Sequence, residues 1–508
     1  MSKTDCNKKL SFEEKELLLL RKSVDKAEAK LGKKIKQSND ITSIIKILED
    51  FMRRTKVVCY GGTAINNILP ANDQFYDKDI EIPDYDFYSA KALRHSTELA
   101  DIYDKHGYKE VEVRSGVHKE TYKLFVDFIP IADITQFEPK LFNILIKNAI
   151  RKEGIYYAPP DFLRLQTYNE LSRPDGDVTR WEKIYKRLIL LNKHYPFKEN
   201  SKCSQVNFMR DFTGNPELNE SLYNLVKDTM MDEGVVFIGG YASSLYGRHM
   251  PSEQKKQLQH VPDFDVLAED PKAVAYILKE KLENSGFKNV KIITRPAAGN
   301  EVILVHYEIV VDNDTLCFIY KPYGCYSYNT IRINNKTAKV ATIETMLLFL
   351  LAFLYSDRPY YDHERIICMA QYLINVQAQN RLEQKGLLKR FNTNCYGNEK
   401  TIIELRSEKA ENYEKLKNDE NSKEFNKYFF KYSPIKDKNK DKDKNKNKDK
   451  NKNEYKDNNP TRDAATDAPA YNKNKRTKRF NRNRNRKGFI KTKKYGKKKG
   501  LFQSIFKI

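Results

Sequence analysis

The chain has 508 residues and a formal net charge of +23, with 92 Lys/Arg against 69 Asp/Glu. That length is too great for one core and predicts two or three domains, while the charge points to a polyanionic partner. Seven cysteines make no C-x-x-C pair and no His/Cys cluster. This excludes a zinc module, argues against a disulfide framework and implies reduced thiols in a cytoplasm-like compartment.

The N-terminal stretch MSKTDCNKKLSFEEKE has no signal-peptide apolar region. Residues 11–31 predict a helix, with Ser11 and Glu14 in a capping-box pattern and Gly32 at its stop. A second helix begins at Ser38 or Asp40 and runs through IIKILEDFMRR. Val57 to Tyr60 reads as a buried strand, followed at once by Gly61-Gly62-Thr63, a helix over Ala64 to Leu69, and Pro70. Pro83 then introduces Asp84-Tyr85-Asp86-Phe87. Side chains alternate along a strand, so Asp84 and Asp86 share one face. Glycines let backbone N–H groups approach phosphate closely. Thr63 adds a hydroxyl at the helix start, where phosphate binding and N-capping compete as explanations. Paired carboxylates beside such a turn can hold divalent metal and a triphosphate together.

Further on, ALRHSTELADIYDKHG predicts a helix ending at Gly107, and Tyr108 to Arg114 and Thr121 to Asp127 predict strands before Ile131 to Thr135. Strands interleaved with helices predict an α+β domain over 51–145. Asp127 and Asp133, each with apolar neighbours, compete for the role of a third carboxylate. Residues 146–200 predict a helical connection rich in cations, among them Arg164, Arg173, Arg180, Lys183 and Arg187, with the single Trp181. Such residues can contact a triphosphate, an adenine ring or an RNA backbone, and Arg180 and Lys183 are assigned to the nucleotide. Met346 to Tyr355 is too short to span a bilayer and reads as a core helix. From Lys436 the chain is almost devoid of apolar residues and is expected to be disordered. Residues 471–500 hold fifteen Lys/Arg and no Asp/Glu, interspersed with Phe480, Phe489 and Tyr495, a composition suited to sequence-independent RNA contact.

An internal repeat assigns the roles. Phe237-Ile238-Gly239-Gly240-Tyr241-Ala242 echoes Cys59-Tyr60-Gly61-Gly62-Thr63-Ala64, and Pro262-Asp263-Phe264-Asp265 echoes Pro83-Asp84-Tyr85-Asp86 at nearly the same separation. TYKLFVDFIPIADIT, from Thr121, aligns without a gap on HYEIVVDNDTLCFIY, from His306. Ordered matches at near-constant spacing mean a duplicated unit. Asp127 aligns with Asp312 in an apparent hairpin turn, Asp133 with Phe318, and Thr63 with Tyr241. The second copy has therefore lost one carboxylate and the hydroxyl. The first copy is read as catalytic, with Asp133 preferred over Asp127, and the second as a degenerate partner whose vacated site Tyr241 and Phe318 fill.

The set Gly-Gly-Thr, Asp84-x-Asp86 and Asp133 resembles the polymerase-β-type nucleotidyltransferase superfamily. Within it, YGGTAINNILP, PDYDFYS, ETYKLFVDFIPIADIT and RWEKIYKRL resemble the poly(A) polymerase catalytic subunits of poxviruses and related large DNA viruses. The resemblance implies addition of AMP from ATP to the 3′-hydroxyl of RNA, with Asp84, Asp86 and Asp133 as ligands of Mg²⁺ or Mn²⁺. It also implies Gly61, Gly62 and Thr63 at the phosphates, and a cytoplasmic viral factory, or the virion, as location. The poxvirus subunit has a fuller N-terminal domain that helps dock a processivity partner, so a homodimer is expected here instead. A terminal uridylyltransferase, another nucleotidyltransferase and an inactive RNA-binding scaffold remain as alternatives. The expected layout is an N-terminal helical segment (1–50), a catalytic domain (51–145), a helical connection (146–200), a degenerate nucleotidyltransferase-like domain (201–330), a C-terminal helical region (331–432) and a basic tail (433–508).

Overall fold

Ile41, Ile44, Leu48, Phe51 and Met52 recur at helical spacing and are all buried, which makes α1 (Asn39–Arg54) a one-sided helix laid on a sheet. The computed structural model describes residues 39–76, 83–197, 201–213, 216–255, 260–261, 263–298 and 302–434, with helical residues 16–17, 19–21, 23–24 and 26–27. The Ser11/Glu14 capping pattern, the ends of the 11–31 helix and the tail from residue 435 lie outside the described residues.

After α1, β1 (Val58–Tyr60) runs directly into α2 (Gly61–Ile68). Next come β2 (Tyr85–Ser89), α3 (Ala92–Lys105), β3 (Val111–Ser115), β4 (Thr121–Val126), β5 (Ile129–Gln136) and α4 (Pro139–Lys147). A hairpin of β6 (Ile150–Lys152) and β7 (Ile155–Tyr157) precedes α5 (Pro160–Leu171) and α6 (Trp181–His194). The second unit holds α7 (Pro216–Asp232), β8 (Val236–Ile238), α8 (Gly239–Leu245), β9 (Phe264–Leu267), α9 (Pro271–Asn284) and β10 (Val290–Arg295). It continues with β11 (His306–Val311), β12 (Asp314–Tyr320), β13 (Tyr326–Ile333), β14 (Lys336–Ala341), α10 (Ile343–Leu354) and α11 (His363–Gln379). Last are β15 (Cys395–Tyr396), α12 (Ile402–Leu416), α13 (Lys423–Phe429) and β16 (Lys431–Tyr432).

Two mixed sheets result, in the order β16-β3-β4-β5-β2-β1-β7-β6 and β10-β11-β12-β9-β8-β14-β13-β15. Setting aside the short strands β16 and β15, seven strands follow the same order in both. The α+β class and the duplication are thus visible in the topology. Each sheet carries its own apolar cluster, and Tyr355 packs on both. Phe162 of α5 meets Tyr355 edge to face at 5.1 Å, and α5 packs along α10, whose residues are nearly all buried. No helix among the described residues is long and apolar enough to cross a membrane.

Three expectations need correction. Residues 146–200 are not wholly helical: the Glu153-Gly154 turn, with both residues at positive φ, folds 150–157 into a hairpin that joins the first sheet through β1 and β7. The 331–432 region is not purely helical either, because β14 belongs to the second sheet and β16 returns to the edge of the first. Four cysteines are paired and not reduced, Cys203 with Cys368 and Cys325 with Cys395, across separations of 165 and 70 residues that no local pattern could reveal. Cys59 and Cys317 are free and buried.

Candidate active site

Gly61 stands at φ +71° where β1 becomes α2, a left-handed conformation that favours glycine. A Cβ there would come within 2.9 Å of Asp86 Oδ2, so the missing side chain lets the turn close onto the carboxylate. Gly62 is covered by Arg187 and Tyr76: a Cβ on it would lie 2.7 Å from Arg187 Nη1 and 2.6 Å from the tyrosine oxygen. Arg187 Nη2 donates to that hydroxyl at 2.6 Å, and its guanidinium also lies over the rings of Phe75 and Tyr76. Arg187 Nε is buried and has no hydrogen-bond partner among the described residues. Thr63 is buried, and its hydroxyl donates to the Asp84 carbonyl at 2.5 Å. The hydroxyl expected at the phosphates is therefore engaged in tying α2 to the carboxylate segment.

β2 and β5 run parallel with Asp86 opposite Asp133, and β1 runs antiparallel to β2 with Tyr60 opposite Asp86. Paired residues on neighbouring strands share a face, and Asp84, two residues before Asp86, joins them. Tyr85 and Phe87 are buried on the other face. Asp127 is exposed, at φ +49° in the β4–β5 turn, and so stands away from the pair that Asp133 adjoins. Burial, followed by repulsion from Asp84 and Asp133, pushes Asp86 up to about 7, against the pull of Lys123 and Arg180. Asp84 is raised by burial and then by Asp133, against Lys123 and Lys183. Lys123 stands opposite Asp133 on β4 and ion-pairs with it.

The three carboxylates share a face without converging on a point. Among the described residues, the one set of three His, Cys, Asp or Glu ligand atoms within 4.8 Å of one another is Asp175, Cys325 and Cys395, and both sulfurs there are in a disulfide.

The expected nucleotide contacts border the same face. Arg180 pairs with Glu170 at 3.4 Å and lines a cavity of about 450 Å³ with Tyr60, Tyr88, Thr135 and Asn169. Tyr60 and Tyr88 are stacked with centroids 3.9 Å apart. Gln166 Nε2 donates to the Tyr88 hydroxyl at 2.9 Å, while Gln166 Oε1 and Asn169 Oδ1 are buried without a partner among the described residues. Lys183 lies near enough to act on Asp84.

The second unit shows what such a face requires. Gly239 repeats the left-handed turn at φ +68°, Asp263 and Asp265 repeat the pair, and Phe318 stands opposite Asp265 as Asp133 stands opposite Asp86. Arg210, from the segment between α6 and α7, enters between the two buried carboxylates. It pairs with Asp263 and, at 3.3 Å, with Asp265, and its backbone N–H donates to Asp263 Oδ2 at 2.6 Å. The guanidinium rests 4.7 Å from the centroid of Phe318. Burial alone would lower the pKa of Arg210, but Asp263 and Asp265 outweigh it and hold the group charged. Phe318 thus closes the degenerate site from one side, as expected, while Tyr241 is buried against Phe237 and Phe264. The guanidinium, which sequence reasoning missed, supplies the cation. In the first unit the matching face offers oxygen acceptors, with Lys123 ion-paired to Asp133 and Lys183 and Arg180 near enough to act on Asp84 and Asp86, a donor set that fits divalent metal.

Two stability predictions follow from these charges. The raised Asp86 is protonated more readily in the folded than in the unfolded chain, so it costs stability progressively as pH climbs from about 4 to about 7. Asp86→Asn is expected to raise the melting temperature of the metal-free protein above pH 7 and to leave it unchanged near pH 4, measured by thermal scans across that range. Arg210→Met leaves the two buried carboxylates with Arg365, 3.9 Å from Asp263, as their remaining guanidinium among the described residues, and is expected to destabilise the chain by about 3 kcal/mol in denaturant titration. An unchanged midpoint for Arg210→Met would remove the structural role of that pair.

Residues 46–177 match the family described as Poly(A) polymerase catalytic subunit. A protein of Acanthamoeba polyphaga mimivirus, provisionally named poly(A) polymerase catalytic subunit, is 29% identical over 224 residues, 42% of this chain and 37% of that protein. A protein of the same provisional name from African swine fever virus is 28% identical over 163 residues, 31% of this chain and 34% of the relative. The match thus spans little more than a third of the length of these relatives. The crystal structure of the Megavirus polyadenylate synthase superposes with a TM-score of 0.69 at 19% identity, covering 85% of this chain and 89% of that one, which establishes a shared fold. In sequence over its first unit and in fold over most of its length, the chain resembles the poly(A) polymerase catalytic subunits of large DNA viruses.

Proposed function

We propose that the chain is a template-independent polynucleotide adenylyltransferase that transfers AMP from ATP to the 3′-hydroxyl of RNA. The carrying observation is the first unit's face of Asp84, Asp86 and Asp133 beside the Gly61-Gly62 turn, where among the described residues no arginine is ion-paired with the carboxylates as Arg210 is in the second unit. The match over residues 46–177 supports the same reading.

Asp84, Asp86 and Asp133 hold Mg²⁺ or Mn²⁺, whose chemistry is to activate the attacking hydroxyl and neutralise charge on the phosphates. Backbone N–H groups at Gly61 and Gly62 receive the β- and γ-phosphates, and Arg187 stands over the same turn with an unmatched donor. Arg180 and Lys183 balance the charge on the open side of the carboxylates. The α-phosphate then lies by Asp86, and the acceptor hydroxyl approaches from the side of Asp133. The stacked Tyr60 and Tyr88 form an aromatic wall for the base. The unpaired oxygens of Gln166 and Asn169 are acceptors, which favours a base with an exocyclic amine, as adenine has, over one presenting a carbonyl there.

The basic residues 471–500, outside the described structure, add sequence-independent affinity for RNA. The relatives come from large DNA viruses, which supports a cytoplasmic viral factory, or the virion, as location. Self-association as a homodimer belongs to the same reading.

Primer extension with a labelled RNA, divalent metal and each NTP separately tests the proposal. Long ladders with ATP alone, abolished by Asp84→Ala or Asp86→Ala with the fold retained, are expected. Ladders with UTP would make the chain a uridylyltransferase, and normal activity in either variant would remove the carboxylate assignment. Asn169→Ala is expected to erode the preference for ATP over UTP severalfold, in line with the loss of about 1 kcal/mol from one hydrogen bond.

A further inference from the structure

Residues 395–432 leave the second sheet and return to the first. At one end β15 pairs with β13, Cys395 is bonded to Cys325, and the Tyr396 hydroxyl accepts from the Glu269 backbone N–H at 3.2 Å. At the other end β16 pairs with β3, the Ser115 N–H donates to the Phe430 carbonyl at 2.8 Å, and the Tyr432 hydroxyl donates to Asp101 at 2.6 Å. Between these anchors Lys409 donates to the Gly116 carbonyl at 2.7 Å, and Lys119 pairs with Glu424 at 3.1 Å. The segment is therefore a strap fastened to both sheets.

Beneath the strap lies a cavity of about 810 Å³, walled on four sides. The β3–β4 turn contributes His118 and Lys119, the end of β12 contributes Lys321 and Tyr323, the strap contributes Lys400 and Lys409, and Arg173 closes the side of the connecting helices. His118, Arg173 and Tyr323 also line the cavity that holds Tyr60 and Thr135. Tyr60 stands opposite Asp86, and Thr135 follows Asp133 by two residues on the same face. The two cavities thus share a wall, and the inner one borders Tyr60 and Thr135, which neighbour the carboxylates on the sheet.

We infer that this cavity is a closed channel for the acceptor, which a single-stranded polynucleotide must enter 3′ end first because the strap bars sideways entry. This rests on the proposed reading of the site as a polynucleotide-extending one, and it adds a topological constraint. Five Lys and Arg side chains line the wall against three carboxylates, Glu269, Glu399 and Glu408. Glu399 is neutralised by Arg173 at 3.2 Å and Glu408 by Lys400 at 2.7 Å, and Lys321 has no ion-pair partner among the described residues. Tyr323 is 41% exposed, and Tyr428, with Lys119 over its ring, lines the same wall, so a strand finds aromatic and cationic side chains together. Phosphate neutralisation with base stacking is the way single strands are held without regard to sequence. A duplex end or a strand without an end has no route past the strap.

The test uses the full chain and one RNA sequence carrying 4-thiouridine, supplied as a linear strand or as a covalently closed circle. Both are used at concentrations where a gel shift shows them bound, and irradiated without nucleotide. The linear strand is expected to cross-link to peptides containing Lys321 to Tyr323 and to α12. The circle should lose those cross-links and keep the ones to residues 471–500. Equal labelling of the channel by circle and line would show an open groove and overturn the inference. Labelling of neither channel wall by the linear strand would place the acceptor elsewhere and overturn it too. The readout needs no catalysis, so intact channel cross-links with no extension by any NTP would sink the adenylyltransferase reading alone.

Discussion

The structure turns on the electrostatic problem of carboxylates gathered on one sheet face. Asp84, Asp86 and Asp133 repel one another in a half-buried setting, and the raised Asp86 records the cost. The same arrangement in the second unit is resolved from within, by a guanidinium held between Asp263 and Asp265 and seated on Phe318. One fold therefore presents two answers to the same charge excess: a cation fixed in the chain, and a face that a soluble cation can enter. The proposed chemistry rests on that difference, because a built-in arginine neither departs nor shares its ligands with a substrate.

The rest of the first unit serves to keep that face in place. Glycine at positive φ lets the β1–α2 turn approach Asp86, Thr63 ties α2 to the Asp84 backbone, and Lys123 restrains Asp133. The opposite face of the sheet is fixed by buried Tyr85 and Phe87 and by the Tyr85 hydroxyl donating to Glu49 at 2.6 Å. The second unit supplies walls: α10 packs along α5, and the β12–β13 loop faces the turn between β3 and β4 across the cavity under the strap.

Much of this was legible in the sequence because it is local. Gly-Gly after a strand and Asp-x-Asp on the next are contiguous signals, and the gapless match of Thr121–Thr135 on His306–Tyr320 sets Asp133 against Phe318, a pairing the two registers reproduce. Asp127 read as a turn residue and is one. What escaped was non-local or very short. Arg210 sits in a segment without periodicity and acquires its role only when the chain brings it to Asp263. The strands β6, β7, β15 and β16 have two or three residues each, too few for an alternating pattern, although Glu153-Gly154 before Ile-Tyr-Tyr was a usable turn signal. The disulfides join residues far apart in the chain. Thr63 was placed correctly at the helix start, and its hydroxyl turned to the Asp84 carbonyl, a partner that only the fold brings into reach.

The most direct test of this asymmetry is a Mn²⁺ titration followed by electron paramagnetic resonance, on the full chain and on Asp84→Ala/Asp86→Ala and Asp263→Asn/Asp265→Asn variants. Mn²⁺ binding is expected to be lost with the first pair of substitutions and unchanged by the second in folded protein. Binding that survives in the first variant, or that vanishes only in the second, would contradict it.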